Sequence, residues 1–121
     1  MKLGSGAYEG AYSFSSRFEE GTGTNPEELI GAAEAGCFSM ALSGQLGAAN
    51  LTASSIETTA TLTLEKLESG WAITTVHLDV VGRVPGADNA AFQKAAENAK
   101  SGCPVSKVLK ANITMTAKLE G

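Results

Sequence analysis

The chain has 121 residues, of which 43% are hydrophobic and 18% are charged, and its formal net charge at pH 7 is −4. This length and composition predict one folded domain over residues 1–121 and argue against a disordered protein. The negative charge and the lack of any Lys/Arg block argue against nucleic acid as a partner, because phosphate binding needs clustered cations.

The sequence has no apolar run long enough to span a membrane, and its N-terminal stretch lacks the apolar core of a secretion signal. We therefore expect a cytoplasmic protein with no membrane partner. In that compartment the two cysteines of the chain are expected to be reduced, and catalytic or redox-sensing, rather than joined as a permanent disulfide.

The N-terminal part of the chain predicts a strand followed by a long helix. Residues 8–18 carry aromatic side chains at even positions, which is the period of a strand. A loop then leads to Thr24 or Asn25, either of which is a suitable helix cap, with Pro26 at the first helical position. The helix is predicted to run from about Pro26 to about Leu46.

The middle of the chain predicts a β-hairpin. Residues 55–67 alternate apolar and polar side chains, and residues 71–84 do the same. The stretch Glu68–Gly70 between them is a suitable turn, so the two runs are predicted to pair with each other.

The C-terminal part predicts two helices and a last strand. Asp88 or Asn89 is expected to cap a helix over about 89–101, and Pro104 suits the start of a second, short helix. Apolar and polar residues then alternate over 113–119, which predicts a strand.

This order of elements predicts an α+β fold in which an antiparallel sheet packs on two main helices. With only one strand before the long helix, the predicted sheet is too small to cover the helices. We therefore expect a partner chain to supply further surface.

Cys103 is the cysteine whose sequence environment favours reactivity. It precedes Pro104 at the start of the predicted short helix, where backbone amides and the helix dipole stabilise a thiolate, and Lys100 and Lys107 add positive charge nearby. A small buried residue at a break between helices is the other interpretation, and the sequence leaves both open.

Cys37 lies in the middle of the long predicted helix and looks like a core residue. A buried thiol in apolar surroundings has a raised pKa and is inert, and Glu34, one turn earlier, would further disfavour a thiolate. A cation must therefore approach Cys37 if it is to react. Burial is expected because Cys37 shares a helical stripe with small and apolar residues, namely Ala33, Met40, Ala41 and Gly44.

Arg17 is the candidate cation. An arginine at a strand end is ordinarily solvated, and Glu27 is ordinarily a partner of the helix dipole. An ion pair between Arg17 and Glu27 would nevertheless hold the guanidinium in a fixed orientation near a sulfur.

The other familiar catalytic patterns are absent from the sequence. His77 is the only histidine, and with no second histidine or Cys/His cluster it does not predict a zinc site. A hydrolase built on His77 and a cysteine is a weaker alternative, and the chain has neither a G-x-S-x-G motif nor a glycine-rich phosphate loop.

Two stretches together resemble a known family. "TNPEELIGAAEAGCFSMAL" (residues 24–42) and "SGCPVSKVLKANITMTAKLE" (residues 101–120) are similar to the two signature regions of the OsmC/Ohr family of organic hydroperoxide reductases. The resemblance extends from about Arg17 to the end of the chain. The "RFEEG" before "TNPEE" is closer to the OsmC-like branch than to the Ohr branch.

The resemblance implies a thiol peroxidase that protects against oxidative stress. Cys37 would be the peroxidatic thiol, Cys103 the resolving thiol, and Arg17 with Glu27 the pair that activates Cys37. It also implies an OsmC-like intertwined homodimer with active sites at the subunit interface. Glu34 departs from the pattern, since the resemblance leads us to expect His or Tyr there.

No bound cofactor or metal is implied. The reductant would be an external dithiol such as dihydrolipoamide or a lipoylated protein, and the substrate an organic hydroperoxide. Two alternatives remain open on the same fold: a non-catalytic carrier of small apolar ligands, and a redox sensor that passes its disulfide to a partner.

Overall fold

A computed structural model describes residues 1–13, 15–18 and 23–120. The described chain forms two compact units, Met1–Ile30 and Gly31–Gly121. In the described ranges, no helix has both the length and the apolar character needed to cross a membrane. The elements in chain order are α1 (Ser15–Phe18), α2 (Pro26–Ala48), β1 (Ser55–Leu67), β2 (Gly70–Arg83), α3 (Asn89–Gly102), α4 (Pro104–Val108) and β3 (Asn112–Leu119).

The strand predicted over residues 8–18 is wrong. Tyr12 makes only an isolated bridge to Thr24, and Arg17 lies in the short helix α1 rather than at a strand end; Phe14 lies outside the described residues. The reason is local capping, because the backbone N–H of Ser16 donates to the Ser13 hydroxyl (3.1 Å) and that of Ser13 donates back to Ser16 (3.3 Å). Such a reciprocal pair starts a helix and competes with a strand.

Helix α2 confirms the predicted long helix, and its capping residue is Asn25. The Asn25 side-chain oxygen accepts from the backbone N–H of Glu28 at 2.8 Å, which satisfies a donor that has no partner within the helix. Pro26 follows at the first helical position, where its missing N–H costs nothing.

The buried face of α2 is not the one that the sequence suggested. Ala33 and Gly44 are exposed and Met40 is 78% exposed, whereas a neighbouring stripe is buried. The helix carries small or apolar residues on both faces, so its periodicity is weak, and the larger side chains decide which face enters the core. The buried residues of α2 are Gly31, Glu34, Phe38, Leu42 and Leu46.

The three strands form one sheet in the order β1-β2-β3. β1 and β2 are the predicted antiparallel hairpin, but β3 runs parallel to β2, from Thr75 paired with Asn112 to Gly82 paired with Leu119. The expectation of a wholly antiparallel sheet is therefore wrong. The connection from β2 to β3 contains α3 and α4, and a crossover of that length returns the chain to the end of the sheet where a parallel strand begins.

Helix α3 completes the core of the second unit. Asp88 caps it by accepting from the Ala91 N–H at 2.7 Å, as the sequence predicted. Its Phe92 packs over Gly82 in β2 so closely that a Cβ at Gly82 would lie 2.5 Å from the ring. The core cluster comprises Phe38, Leu42 and Leu46 of α2, Val76, Leu78 and Val80 of β2, Val84, and Phe92, Ala95, Ala96 and Ala99 of α3.

The predicted fold class, α+β with helices packed against a sheet, is confirmed. The single-domain assignment and the intertwined homodimer remain predictions.

Candidate functional site

The two cysteines, which are 66 residues apart in sequence, meet in the second unit. The thiols of Cys37 and Cys103 share a hydrogen bond, and the two Sγ atoms lie 2.6 Å apart. The two cysteines are not joined by a disulfide. Cys103 has no exposed surface, whereas Cys37 is partly exposed, so a solute that enters from solvent reaches Cys37 first.

Backbone hydrogen bonds on both sides hold Cys103 at the junction between α3 and α4. Its N–H donates to the carbonyl of Ala99 at 2.9 Å, which closes α3, and its carbonyl accepts from the N–H of Lys107 at 3.1 Å, which opens α4. Pro104 then fixes the first turn of α4. The "GCPVSK" sequence thus places this thiol at the junction between the two helices.

The surroundings of Cys37 raise the pKa of its thiol. The largest cause is partial burial, followed by the hydrogen bond with Cys103 and by the negative charges of Cys103 and Glu34. The backbone N–H of Val105, which donates to the Cys37 sulfur, acts in the opposite direction and lowers the pKa. Because the thiolate is the nucleophile, the net effect of these neighbours is to lower the reactivity of Cys37 at neutral pH.

The raised pKa gives a testable pH dependence. A raised pKa means less thiolate below it, so alkylation of Cys37 by iodoacetamide is expected to accelerate as pH rises through a value above the ordinary thiol pKa. Cys103→Ala removes one hydrogen bond and one charge that raise this pKa, so its rate profile is expected at lower pH. Peptide mass mapping against pH measures both profiles, and an unmoved or upward-shifted profile in the variant contradicts these causes.

Glu34 lies fully buried one helical turn before Cys37. Its Oε1 accepts a hydrogen bond from the Ser106 hydroxyl at 2.5 Å, and its Oε2 is buried with no hydrogen-bond partner among the described residues. The sequence correctly indicated that Glu34 disfavours the Cys37 thiolate, since its charge is one of the causes that raise that pKa.

Arg17 and Glu27 form the ion pair that the sequence suggested. The Nε of Arg17 lies 2.9 Å from Oε2 of Glu27, and the two side chains are 31% and 17% exposed. Both residues belong to the first unit, Met1–Ile30. The carboxylate therefore fixes the orientation of the guanidinium, because an Arg–carboxylate hydrogen bond orients the planar group.

His77 contacts other side chains of the sheet. Its Nδ1 is 2.7 Å from the Thr114 hydroxyl in β3, and its Nε2 is 3.4 Å from Asp79. These contacts occupy both ring nitrogens, so the described geometry does not form a Cys–His dyad. Over residues 1–13, 15–18 and 23–120, no group of three or more His, Cys, Asp or Glu side chains is arranged to hold a metal ion.

The structure thus brings together Cys37 with Cys103 in one unit and Arg17 with Glu27 in the other. Sequence reasoning missed the contacts of Val105 and Ser106 with residues of α2. The available signal was spacing, since Ser106 lies one turn after Cys103, just as Glu34 lies one turn before Cys37.

Comparison with known proteins agrees with the sequence motifs. Residues 19–118 match the family model described as OsmC-like protein. The chain is 54% identical over 109 residues to "Peroxiredoxin OsmC" of Escherichia coli (strain K12), which covers 90% of this chain and 76% of the relative.

Solved structures share the fold. The organic hydroperoxide resistance protein OhrB of Bacillus subtilis is 25% identical with a TM-score of 0.72, over 98% of this chain and 87% of that one. An organic hydroperoxide resistance protein from Elizabethkingia anophelis superposes with a TM-score of 0.79 at 21% identity, over 98% and 86% of the two chains. The family match and the 54% identity together show that this chain belongs to the OsmC-like protein family.

Proposed function

We propose that this protein is a thiol-dependent peroxidase that reduces organic hydroperoxides to alcohols. The single observation that carries the proposal is the contact between a partly exposed thiol, Cys37, and a buried one, Cys103, with their sulfurs 2.6 Å apart. Relatives named as a peroxiredoxin and as organic hydroperoxide resistance proteins support the same chemistry.

In the first step, the Cys37 thiolate attacks the O–O bond of the hydroperoxide. The sulfur takes the terminal hydroxyl and becomes a sulfenic acid, and the alkoxide leaves and gains a proton to form the alcohol. Access supports this assignment, because Cys37 is partly exposed whereas Cys103 is fully buried. Cys37 is thus the proposed peroxidatic residue.

In the second step, Cys103 resolves the sulfenic acid. Its thiol sulfur bonds to the Cys37 sulfur, and the sulfenic hydroxyl leaves as water with the thiol proton. An external dithiol, proposed to be dihydrolipoamide or a lipoylated protein, then reduces the disulfide by two exchange reactions and is itself oxidised. The protein needs no bound cofactor for either step.

Arg17 is proposed to offset the groups that disfavour the Cys37 thiolate. Burial, Cys103 and Glu34 raise the pKa of Cys37, and a guanidinium would favour both the thiolate and the charge that develops on the leaving oxygen. Glu27 is proposed to hold Arg17 in the required orientation through their 2.9 Å ion pair.

We also propose that the chain acts as a homodimer with the thiol pair near the subunit interface. The face of α2 that carries Ala33 and Met40 supports this assembly, because it is exposed and composed of small or apolar residues. Light scattering that gives the mass of one chain would contradict it. On this face of α2, Ala33 lies one turn before Cys37 and Met40 one turn after it. Their side chains therefore offer apolar contact to the organic part of a substrate.

The proposed activity is tested by following dithiol oxidation with cumene hydroperoxide and with hydrogen peroxide as separate substrates. Cumene hydroperoxide is expected to be reduced at least about tenfold faster, because only its organic group gains burial against apolar side chains. Dithiol oxidation no faster than in protein-free buffer refutes the proposal and favours a ligand carrier. Rapid oxidation limited to one turnover favours a redox sensor.

A further inference from the structure

A buried carboxylate occupies the core-facing stripe of α2 beside the thiol pair. Glu34 is fully buried on the same helix face as Phe38 and Leu42. Its Oε2 has no hydrogen-bond partner in the described part of the chain. Burying an incompletely bonded carboxylate is unfavourable, and an apolar residue at this position would avoid that loss. Folding therefore does not by itself explain Glu34.

The partner of Glu34 belongs to α4, a helix with little apolar anchorage. α4 has five residues, and none of them is fully buried. Two polar contacts join it to α2: the Ser106 hydroxyl donates to Glu34, and the Val105 N–H donates to the Cys37 sulfur. With so little apolar burial, hydrogen bonds make a large contribution to the position of α4.

Two short contacts join α2 to the segment that runs from Cys103 into α4, and the two contacts are one helical turn apart. Glu34 precedes Cys37 by three residues, and Ser106 follows Cys103 by three. The oxygens of Glu34 and Ser106 are 2.5 Å apart, and the sulfurs of Cys37 and Cys103 are 2.6 Å apart. A displacement of α4 that breaks the first contact therefore also changes the second.

We infer that Glu34 and Ser106 are positioning residues whose hydrogen bond holds Cys103 against Cys37 for disulfide formation. The inference rests on the proposed function, where the Cys37 sulfenic acid and the Cys103 thiol condense to a disulfide and water. It also applies to exchange with a small disulfide, in which Cys37 attacks first and Cys103 then displaces the small thiol. Holding two reacting groups in place raises their effective concentration in both reactions.

Two measurements test the inference. The first is the rate at which the sulfenic acid disappears after reaction with cumene hydroperoxide, in competition with dimedone trapping. The second is the equilibrium constant for the Cys37–Cys103 disulfide in a dithiothreitol redox buffer, which needs no peroxidase activity. Ser106→Ala is expected to lower both by about tenfold, the usual effect of losing one hydrogen bond.

Matched variants separate positioning from charge and from general loosening. Glu34→Gln keeps an oxygen that accepts from Ser106 but removes the charge, so it is expected to retain wild-type values. If the alanine variant does not fold, Ser106→Thr and Ser106→Val provide the same comparison. The two new side chains have nearly equal volume, but only threonine keeps the hydroxyl. Ser39→Ala removes a hydrogen bond between α2 and Thr58 of β1 (2.7 Å) and is expected to change neither quantity.

Wild-type rate and equilibrium in both Ser106→Ala and Ser106→Val would overturn the inference. An equal loss in Ser39→Ala would also overturn it, because any loosening of α2 would then suffice. If Glu34→Gln lowers the rate and the equilibrium constant as much as Ser106→Ala does, the charge of Glu34 causes the effect and the inference is also overturned. A wild-type protein that reduces no hydroperoxide refutes the proposed function instead, and the exchange equilibrium still decides the role of Glu34 and Ser106.

Discussion

Replacing Cys37 by serine is expected to reduce hydroperoxide turnover to the background rate, a loss of at least about 10³-fold. A serine hydroxyl is far less nucleophilic than a thiolate at neutral pH and does not form a sulfenic acid. The measurement is steady-state oxidation of a dithiol by cumene hydroperoxide. Because the thiol is partly exposed and serine is similar in size, the free energy of unfolding is expected to change little.

Cys103→Ser is the matched control for this prediction. It removes the resolving thiol but leaves Cys37 able to react, so one equivalent of hydroperoxide is expected to be consumed and the sulfenic acid to persist. Dimedone labelling of Cys37, read by mass spectrometry, measures this product. Turnover of the Cys37→Ser variant at the wild-type rate would falsify the assignment of Cys37 as the peroxidatic residue.

Replacing Arg17 by methionine is expected to lower kcat/KM for the hydroperoxide by about 10²-fold, comparable to removing one charge-stabilising donor from an active site. The guanidinium is held at 2.9 Å by Glu27 and is proposed to stabilise both the thiolate and the leaving oxygen. The pH profile of Cys37 oxidation is also expected to move to higher pH, because the variant lacks a cation that would offset the groups that raise the pKa of Cys37.

Arg83→Met is a suitable control for Arg17→Met. Arg83 also pairs with a glutamate, Glu120, at 3.1 Å, but its side chain is 60% exposed at the end of β2. Its removal is expected to leave kcat/KM within about twofold, since an exposed pair contributes little. Equal losses in the two variants, or an unchanged pH profile in Arg17→Met, would show that Arg17 has no specific effect on Cys37.

Local signals in the sequence predicted most elements of the fold. Asn25 and Asp88 are side-chain caps, and each of the two helices begins at the next residue. The parallel pairing of β3 with β2 was missed because strand direction depends on the path of the crossover, which the alternation within a strand does not encode. The predicted first strand was wrong because the regular aromatic spacing is typical of a strand, whereas Ser13 and Ser16 cap each other and start a short helix there.

The candidate site was predicted in part. Motif resemblance paired Cys37 with Cys103, and the structure places their sulfurs in contact. The helix periodicity predicted that Cys37 is a core residue. In the structure, a different stripe of α2, with larger side chains, faces the core, and Cys37 is partly exposed. The contact of Glu34 with Ser106 joins residues 72 positions apart, and its only signal in the sequence is their matching three-residue spacing from Cys37 and from Cys103.

The groups around Cys37 have opposing effects on its reactivity. Partial burial, the Cys103 thiol and the Glu34 charge raise its pKa, whereas the Val105 N–H lowers it. In the proposed mechanism, Arg17 supplies the remaining stabilisation. Glu34 then has two separable effects, a charge that disfavours the thiolate and a hydrogen bond that positions the resolving cysteine, and Glu34→Gln removes only the first.

The most direct test of the proposed thiol-pair chemistry is the reaction of the reduced wild-type protein with one equivalent of cumene hydroperoxide. The expected products are one equivalent of alcohol and a protein lighter by the mass of two hydrogens, about 2 Da, with the peptides of Cys37 and Cys103 joined by a disulfide. Unchanged protein mass with both thiols still free after the hydroperoxide has been added would contradict it.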